Sequence, residues 1–282
     1  MPYQTIDPTT EELVANFPEA SPEELERALA TSAAAWVGWN GGGIGARAAA
    51  LRQAADLLDD RAEELAGLAA REMGKPLGQG VAEARKCAWG CRYFSEAGPA
   101  LLADEPRESA GSAAWVRHEP LGPILAIMPW NFPFWQFFRF AAPALLAGNT
   151  VLLKHAPSTP QCARAIEALL LEAGLPPGVV RALFLSNEQA AQAIGDPRVR
   201  GVTLTGSTEA GRQVASVAGR HLKPIVLELG GSDAFVVCGD ADLDVAARTG
   251  VEARCQNSGQ SCIAAKRFLV ERRVAAPFLE RF

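Results

Sequence analysis

Apolar positions recur along the first hundred residues with a helical period. From Arg47, Leu51, Ala54, Ala55, Leu58, Leu65 and Leu68 share one face, predicting a helix over residues 46–72 that stops before Gly74-Lys75-Pro76. Ser21-Pro22-Glu23-Glu24 combines a Ser N-cap, a proline in the first turn and early acids, which predicts a helix over 21–35. A third helix is predicted over 78–97. Gly41–Gly45 precedes a helix but follows another helix rather than a strand, so it is read as a flexible connector and not as a phosphate loop.

After Gly111 the texture changes. Residues 114–117 alternate like a strand and 124–128 form a buried one. A helix over 133–147, a strand over 150–154 and a helix over 158–173 follow. Short strands near 180–185 and 200–204, a helix over 208–218 and strands over 225–227 and 234–237 complete the pattern. Strands alternating with helices predict βαβ units and a mostly parallel sheet. Gly230-Gly231 is the best domain boundary. Residues 274–282 read as an amphipathic helix without a closing element, so the chain is expected to be cut at this end.

Composition narrows the classes. The chain has 282 residues, 49% hydrophobic and 21% charged, with a net charge of −5 and no basic stripe, which argues against nucleic-acid binding. The N-terminus has no basic and apolar leader. The longest apolar run, residues 140–153, is interrupted by Pro143, Gly148 and Asn149, so no membrane span is expected and a cytoplasmic location is. The six cysteines are expected to be free thiols, with Cys87 and Cys91 in the core. Three scattered histidines give no reason to expect a metal site.

Four segments bear chemistry. Asn131, in Pro129-Trp130-Asn131-Phe132-Pro133, follows a buried strand, where ligands of open α/β sheets bind, and its amide suits an oxyanion. Taken alone, it reads first as a turn asparagine before proline-flanked aromatics. Lys154 ends an apolar strand where a nucleotide could receive a cation or a ribose hydrogen bond, although alone it reads as a snorkelling strand-end lysine. Thr205-Gly206-Ser207 forms a strand–turn–helix junction that favours phosphate, although it is not the G-x-G-x-x-G fingerprint. Glu228 is a charge inside an apolar strand, 34 positions before Cys262. Cys262 precedes an expected helix start at Ile263 that could lower its pKa. A thiolate with a carboxylate fits nucleophilic attack followed by base-assisted hydrolysis, and a buried structural cysteine is the competing reading.

Together, these segments in this order resemble the aldehyde dehydrogenase superfamily over the whole chain. Within it, Leu121–Asn131, Leu153–Pro157 and Leu227–Asp233 resemble bacterial NAD(P)-dependent succinate-semialdehyde dehydrogenases. The resemblance implies a Rossmann-type parallel sheet with helices on both faces, plus the start of a second α/β catalytic domain. It divides the chain into a cofactor-binding domain (1–101 and 121–228), an oligomerisation hairpin (102–120) and the first part of the catalytic domain (229–282). Cys262 resembles the nucleophile, Asn131 the oxyanion donor and Glu228 the base that activates the deacylating water. Lys154 is implied at the adenosine ribose, Ser207 at the pyrophosphate beside Gly206, Thr205 and Gly230 near the nicotinamide, and Trp130 at the cofactor through its backbone. The implied reaction converts an aldehyde to an acid through a thiohemiacetal and a thioester, with NAD or NADP as hydride acceptor. A homo-oligomer is implied for the full-length protein.

Arg139, eight residues after Asn131, resembles the arginine that holds the distal carboxylate of succinate semialdehyde. A second arginine of some relatives is replaced by Gln256, with Arg254 nearby. Pro157 stands where strictly NAD-dependent relatives often carry a Glu, which leaves room for a 2′-phosphate. Two other functions fit the pattern. An acyl-phosphate reductase-type member of the fold is opposed by Glu228; a non-catalytic nucleotide-binding fragment would keep the motifs without turnover.

Overall fold

Helical and strand periods translate into alternating elements, described in a computed structural model over residues 2–111 and 113–282. Met1 and Ser112, the latter inside the expected hairpin segment, lie outside the described residues. The chain opens with β1 (Tyr3–Ile6), β2 (Leu13–Phe17), α1 (Pro22–Gly41), α2 (Gly43–Asp60), α3 (Ala62–Met73), α4 (Leu77–Leu101), β3 (Glu105–Arg107) and β4 (Ala114–Val116). It continues through β5 (Pro123–Ile127), α5 (Trp135–Leu146), β6 (Thr150–Lys154), α6 (Pro160–Glu172), β7 (Val180–Ala182), α7 (Asn187–Gly195), β8 (Gly201–Thr205), α8 (Thr208–Arg220) and β9 (Ile225–Glu228). Last come β10 (Ala234–Val237), α9 (Leu243–Cys255), a 3₁₀ turn (Gln256–Gly259), β11 (Arg267–Val270) and α10 (Arg272–Leu279).

Two compact units result, residues 1–228 and 229–282. In the first, a five-stranded sheet has the order β7-β6-β5-β8-β9 with every pair parallel. Alternation sends neighbouring side chains to opposite faces. Leu125 and Leu152 join Leu25, Leu29, Ile194 and Val202 on one side. Ala126, Val151 and Leu153 join Leu51, Phe137, Leu145 and Ile166 on the other. Both faces are therefore covered by helices, as buried parallel strands require. The second unit pairs β10 with β11 in parallel and packs Val237, Ala247 and Phe278 into a small core.

Several sequence expectations need correction. The glycine-rich connector shrinks to Gly42: α1 runs on to Gly41 and α2 restarts at Gly43, whose φ of 78° needs no Cβ to accommodate. The long helix over 46–72 is two helices broken at Arg61, where neither glycine nor proline announces the break; the Arg61 guanidinium turns to Glu172 of α6. The β1–β2 hairpin was not foreseen. Ile263 starts no helix: a turn leads from Cys262 into β11, so no helix N-terminus stands behind the thiol.

Candidate active site

Parallel strands bring their carboxyl ends to one edge, and four of the expected residues of the first unit fall there. Lys154 is the last residue of β6, Thr205 of β8 and Glu228 of β9, and Asn131 stands in the loop between β5 and α5. The Gly206 N–H donates to the Glu228 carbonyl at 3.0 Å, tying the β8 turn to the end of β9. Trp130 is exposed and Asn131 half-buried in the same loop.

The residues after Asn131 are held from three directions. Glu83, buried on α4, accepts the N–H groups of Phe134 and Trp135 through one oxygen, at 2.9 and 2.8 Å. Its other oxygen pairs with buried Lys75, whose ammonium sits 4.0 Å from the centroid of the Phe132 ring. His155 Nε2 lies 2.9 Å from the Pro133 carbonyl. The Ala156 N–H donates to His155 Nδ1 at 2.9 Å, so the ring proton is on Nε2, which donates to Pro133. Full burial, opposed by the Pro133 bond and assisted by neighbouring Lys154, lowers this imidazole to a pKa of about 4. It is neutral at pH 7.

A second buried carboxylate does the same for α6. Glu72 accepts the N–H groups of Gln161 and Cys162, each at 2.9 Å, and the Thr5 hydroxyl at 2.6 Å. Burial raises its pKa despite those donors. The helices after β5 and β6 thus have their N-terminal donors engaged by internal anions. At α8 the Ser207 side chain caps only the Ala210 N–H, at 3.1 Å, and Ser207, Thr208 and Glu209 are exposed. Among the helices following β5, β6 and β8, α8 is the one whose N-terminus faces solvent, and its dipole favours an anion there.

Lys154 is 8% exposed, and its ammonium meets no hydrogen-bond acceptor among the described residues; the Tyr3 ring lies 5.8 Å away. Burial lowers its pKa, partly offset by Glu19. An acceptor such as a ribose hydroxyl would complete it. Arg139 projects from α5 toward the ends of β8 and β9: its guanidinium donates to the Thr205 hydroxyl at 3.4 Å and stands 3.7 Å from the Glu228 carboxylate.

In the second unit, Cys262 is half-buried in the turn before β11. Lys266 Nζ donates to the carbonyls of Gly231 and Cys262, at 2.7 and 2.8 Å, drawing the Gly230-Gly231 segment and the cysteine together. Ahead of the cysteine, Asn257, Ser258 and Gly259 all have positive φ, of 54°, 55° and 76°. Two non-glycine residues in succession there store strain of the kind that accumulates at functional sites. Arg254 donates to the Gly259 carbonyl at 3.2 Å, and Gln256 is exposed. Cys87, Cys91 and Cys162 are buried and their thiols raised by desolvation, so they are inert beside Cys262. Lys75, Glu83, Glu72 and Lys266 were not singled out from sequence, where they look like ordinary helix and loop charges.

The family profile described as "Aldehyde dehydrogenase family" matches residues 1–282, and the chain belongs to that family. It is 47% identical over 285 aligned positions to "Succinate-semialdehyde dehydrogenase [NADP(+)] 1" of Mycobacterium tuberculosis H37Rv, covering 100% of this chain and 62% of that protein. A solved structure of succinic semialdehyde dehydrogenase from Streptococcus pyogenes, in complex with NADP+, superposes with a TM-score of 0.97 at 36% identity, over 99% of this chain and 62% of that one. Another, concerned with cofactor and substrate selection by Gox0499, gives 0.98 at 42% identity, over 100% and 62% of the two chains. The chain therefore spans less than two thirds of the length of these relatives. Among the described residues, no helix is long and apolar enough to cross a membrane.

Proposed function

We propose that the protein oxidises an aldehyde to a carboxylic acid with NAD(P), the preferred substrate being succinate semialdehyde. The observation that carries this reading is the gathering of Asn131, Lys154, Thr205 and Glu228 at the carboxyl ends of β5, β6, β8 and β9 in a chain of this family. Lys154, buried and without an acceptor among the described residues, fits a ribose hydroxyl, and the open N-terminus of α8 at Ser207 fits a pyrophosphate. Thr205, Gly206, Gly230 and the Trp130 backbone are assigned to the rest of the dinucleotide. Pro157 presents no carboxylate to repel a 2′-phosphate, and the M. tuberculosis and S. pyogenes relatives are described with NADP(+), so NADP is expected to serve at least as well as NAD.

When bound, the dinucleotide supplies the hydride acceptor. The chain's own residues do the rest. The Cys262 sulfur forms a bond to the aldehyde carbon, and the oxygen that gains charge accepts from the Asn131 amide and the Cys262 N–H. After oxidation to the thioester, Glu228 takes a proton from water, whose oxygen adds to the acyl carbon; the C–S bond breaks and the acid leaves. Arg139 is assigned to the distal carboxylate. Since it stands against Glu228 and Thr205 in this structure, the substrate must compete for it. Glu228 argues against an acyl-phosphate reductase, which must avoid hydrolysis.

The test measures reduction of NAD and NADP with succinate semialdehyde, on this chain and on the chain extended by the C-terminal third of the M. tuberculosis relative, each beside its Cys262→Ala variant. Cys262-dependent turnover by the extended protein supports the reading. Retained nucleotide binding with no turnover by either form would reject succinate semialdehyde, in favour of a non-catalytic nucleotide binder or a different aldehyde.

A further inference from the structure

The strongest unused chemistry outside the strand-end residues is the buried pair of Lys75 and Glu83, whose side chains are 0% and 2% exposed. Two charges taken out of water cost several kcal/mol, and apolar residues of the same volume would often be as stable. A helix cap alone needs no buried cation. This pair therefore calls for a reason beyond stability, and its contacts supply one.

Glu83 receives the N–H groups of residues 134 and 135, and Lys75 lies over the ring of residue 132. The Pro133 carbonyl is held by the fixed Nε2–H of His155. Four successive residues after Asn131 are thus tied to the N-terminal helices and to the end of β6, and the loop enters α5 along one fixed path. We propose that the Lys75–Glu83 pair is a positioning device that sets the direction of the Asn131 amide, coupling the N-terminal helices to the oxyanion site. The inference rests on the aldehyde-oxidising reading above. Neither residue touches the reacting atoms.

The extended protein tests it, with Glu83→Ala, Glu83→Gln and Asn131→Ala made singly, and Glu83→Ala combined with Asn131→Ala. A displaced donor costs about a hundredfold per ångström, so Glu83→Ala is expected to lower kcat by about tenfold to a hundredfold. The KM for NADP should change much less than kcat, because of the residues assigned to the dinucleotide only the Trp130 backbone lies in the clamped loop, while Lys154 and Ser207 are held elsewhere. Glu83→Gln, which keeps an acceptor oxygen for the two N–H groups, should recover most of the rate. The double variant should be no slower than Asn131→Ala, because both changes remove one function. Amide exchange at Phe134 and Trp135 should accelerate in Glu83→Ala. Full kcat in Glu83→Ala, or losses that multiply in the double variant, overturns the inference. If the unsubstituted enzyme shows no turnover, the functional reading fails separately and exchange decides the clamp: unchanged protection at Phe134 and Trp135 overturns it, and lost protection supports it. Should Glu83→Ala fail to fold, Glu83→Leu combined with Lys75→Met, which fills the same space without charge or acceptor, takes its place in each comparison with the same loss expected.

Discussion

Arg139 illustrates how much one residue can be asked to carry. Its planar donors suit a carboxylate, and in this structure the carboxylate within reach is Glu228, at 3.7 Å, with both side chains partly exposed. Arg139→Ala is expected to raise the KM for succinate semialdehyde at least tenfold, about 1.4 kcal/mol, while a neutral aldehyde of similar length is little affected. Equal effects on both substrates in steady-state kinetics would remove Arg139 from the carboxylate site. His155 gives a pH prediction. Its folded pKa of about 4 lies below the ordinary 6.5, so the neutral ring stabilises the fold above pH 6.5 and that contribution is lost as pH falls through 4. The full shift corresponds to about 3 kcal/mol. Urea unfolding should show stability falling from pH 7 to 4 with a slope that flattens in His155→Gln; an unchanged slope assigns the acid sensitivity elsewhere. At this scale the candidate residues were legible because each violates its surroundings: a glutamate within an apolar strand, a lysine closing one, a cysteine in a polar turn. Glu72, Glu83 and, in the short connection between their helices, Lys75 were not, because a charge on or beside an amphipathic helix looks the same whether it meets water or another helix.

Between elements, close approach decides which substitutions the fold accepts. Gly80 of α4 packs against α3, where an added Cβ would lie 2.9 Å from the Ala66 backbone. The backbone cannot swing aside as a flexible side chain can. Gly80→Ala is expected to destabilise by about 1–3 kcal/mol, read as a lowered denaturation midpoint, while exposed Gly78, which has open space, should accept alanine without loss. Removing the Glu72 carboxylate with Glu72→Ala leaves two α6 N–H groups without their acceptor, at a cost of about 1–3 kcal/mol. Stability within error of the parent would show that water replaces the carboxylate. The parallel sheet was readable from the alternation of apolar strands and helices. The β1–β2 hairpin was not, since its buried face carries Tyr3 and polar Thr5 while apolar Ile6, Leu13 and Val14 are exposed. Nor was the absence of a helix after Cys262: Ile263-Ala264-Ala265 has helical propensity, yet Ala264 and Ala265 are buried on the way into β11 while Ile263 faces solvent.

For the whole molecule, the first unit holds Lys154, Ser207 and Thr205 by itself. The chain is therefore expected to bind NADP even where it does not turn over an aldehyde. Lys154→Ala should weaken that binding by about tenfold to a hundredfold, measured by calorimetry; equal affinity would move the ribose elsewhere. The order of the strands also has a consequence for how the protein is made. The central strand β5 pairs with β6 nearby in sequence, but with β8 only after some seventy further residues, Ile124 meeting Gly201. The helices α2, α3 and α4 pack on one another locally and precede them all. Local contacts form faster than distant ones. In refolding followed by pulsed amide labelling, we expect α2–α4 to gain protection before β5 and β8; simultaneous protection would contradict this order. On the ribosome, Glu83 would then be waiting in a finished helical layer when the first turn of α5 emerges, so that the loop bearing Asn131 is shaped against a template already in place.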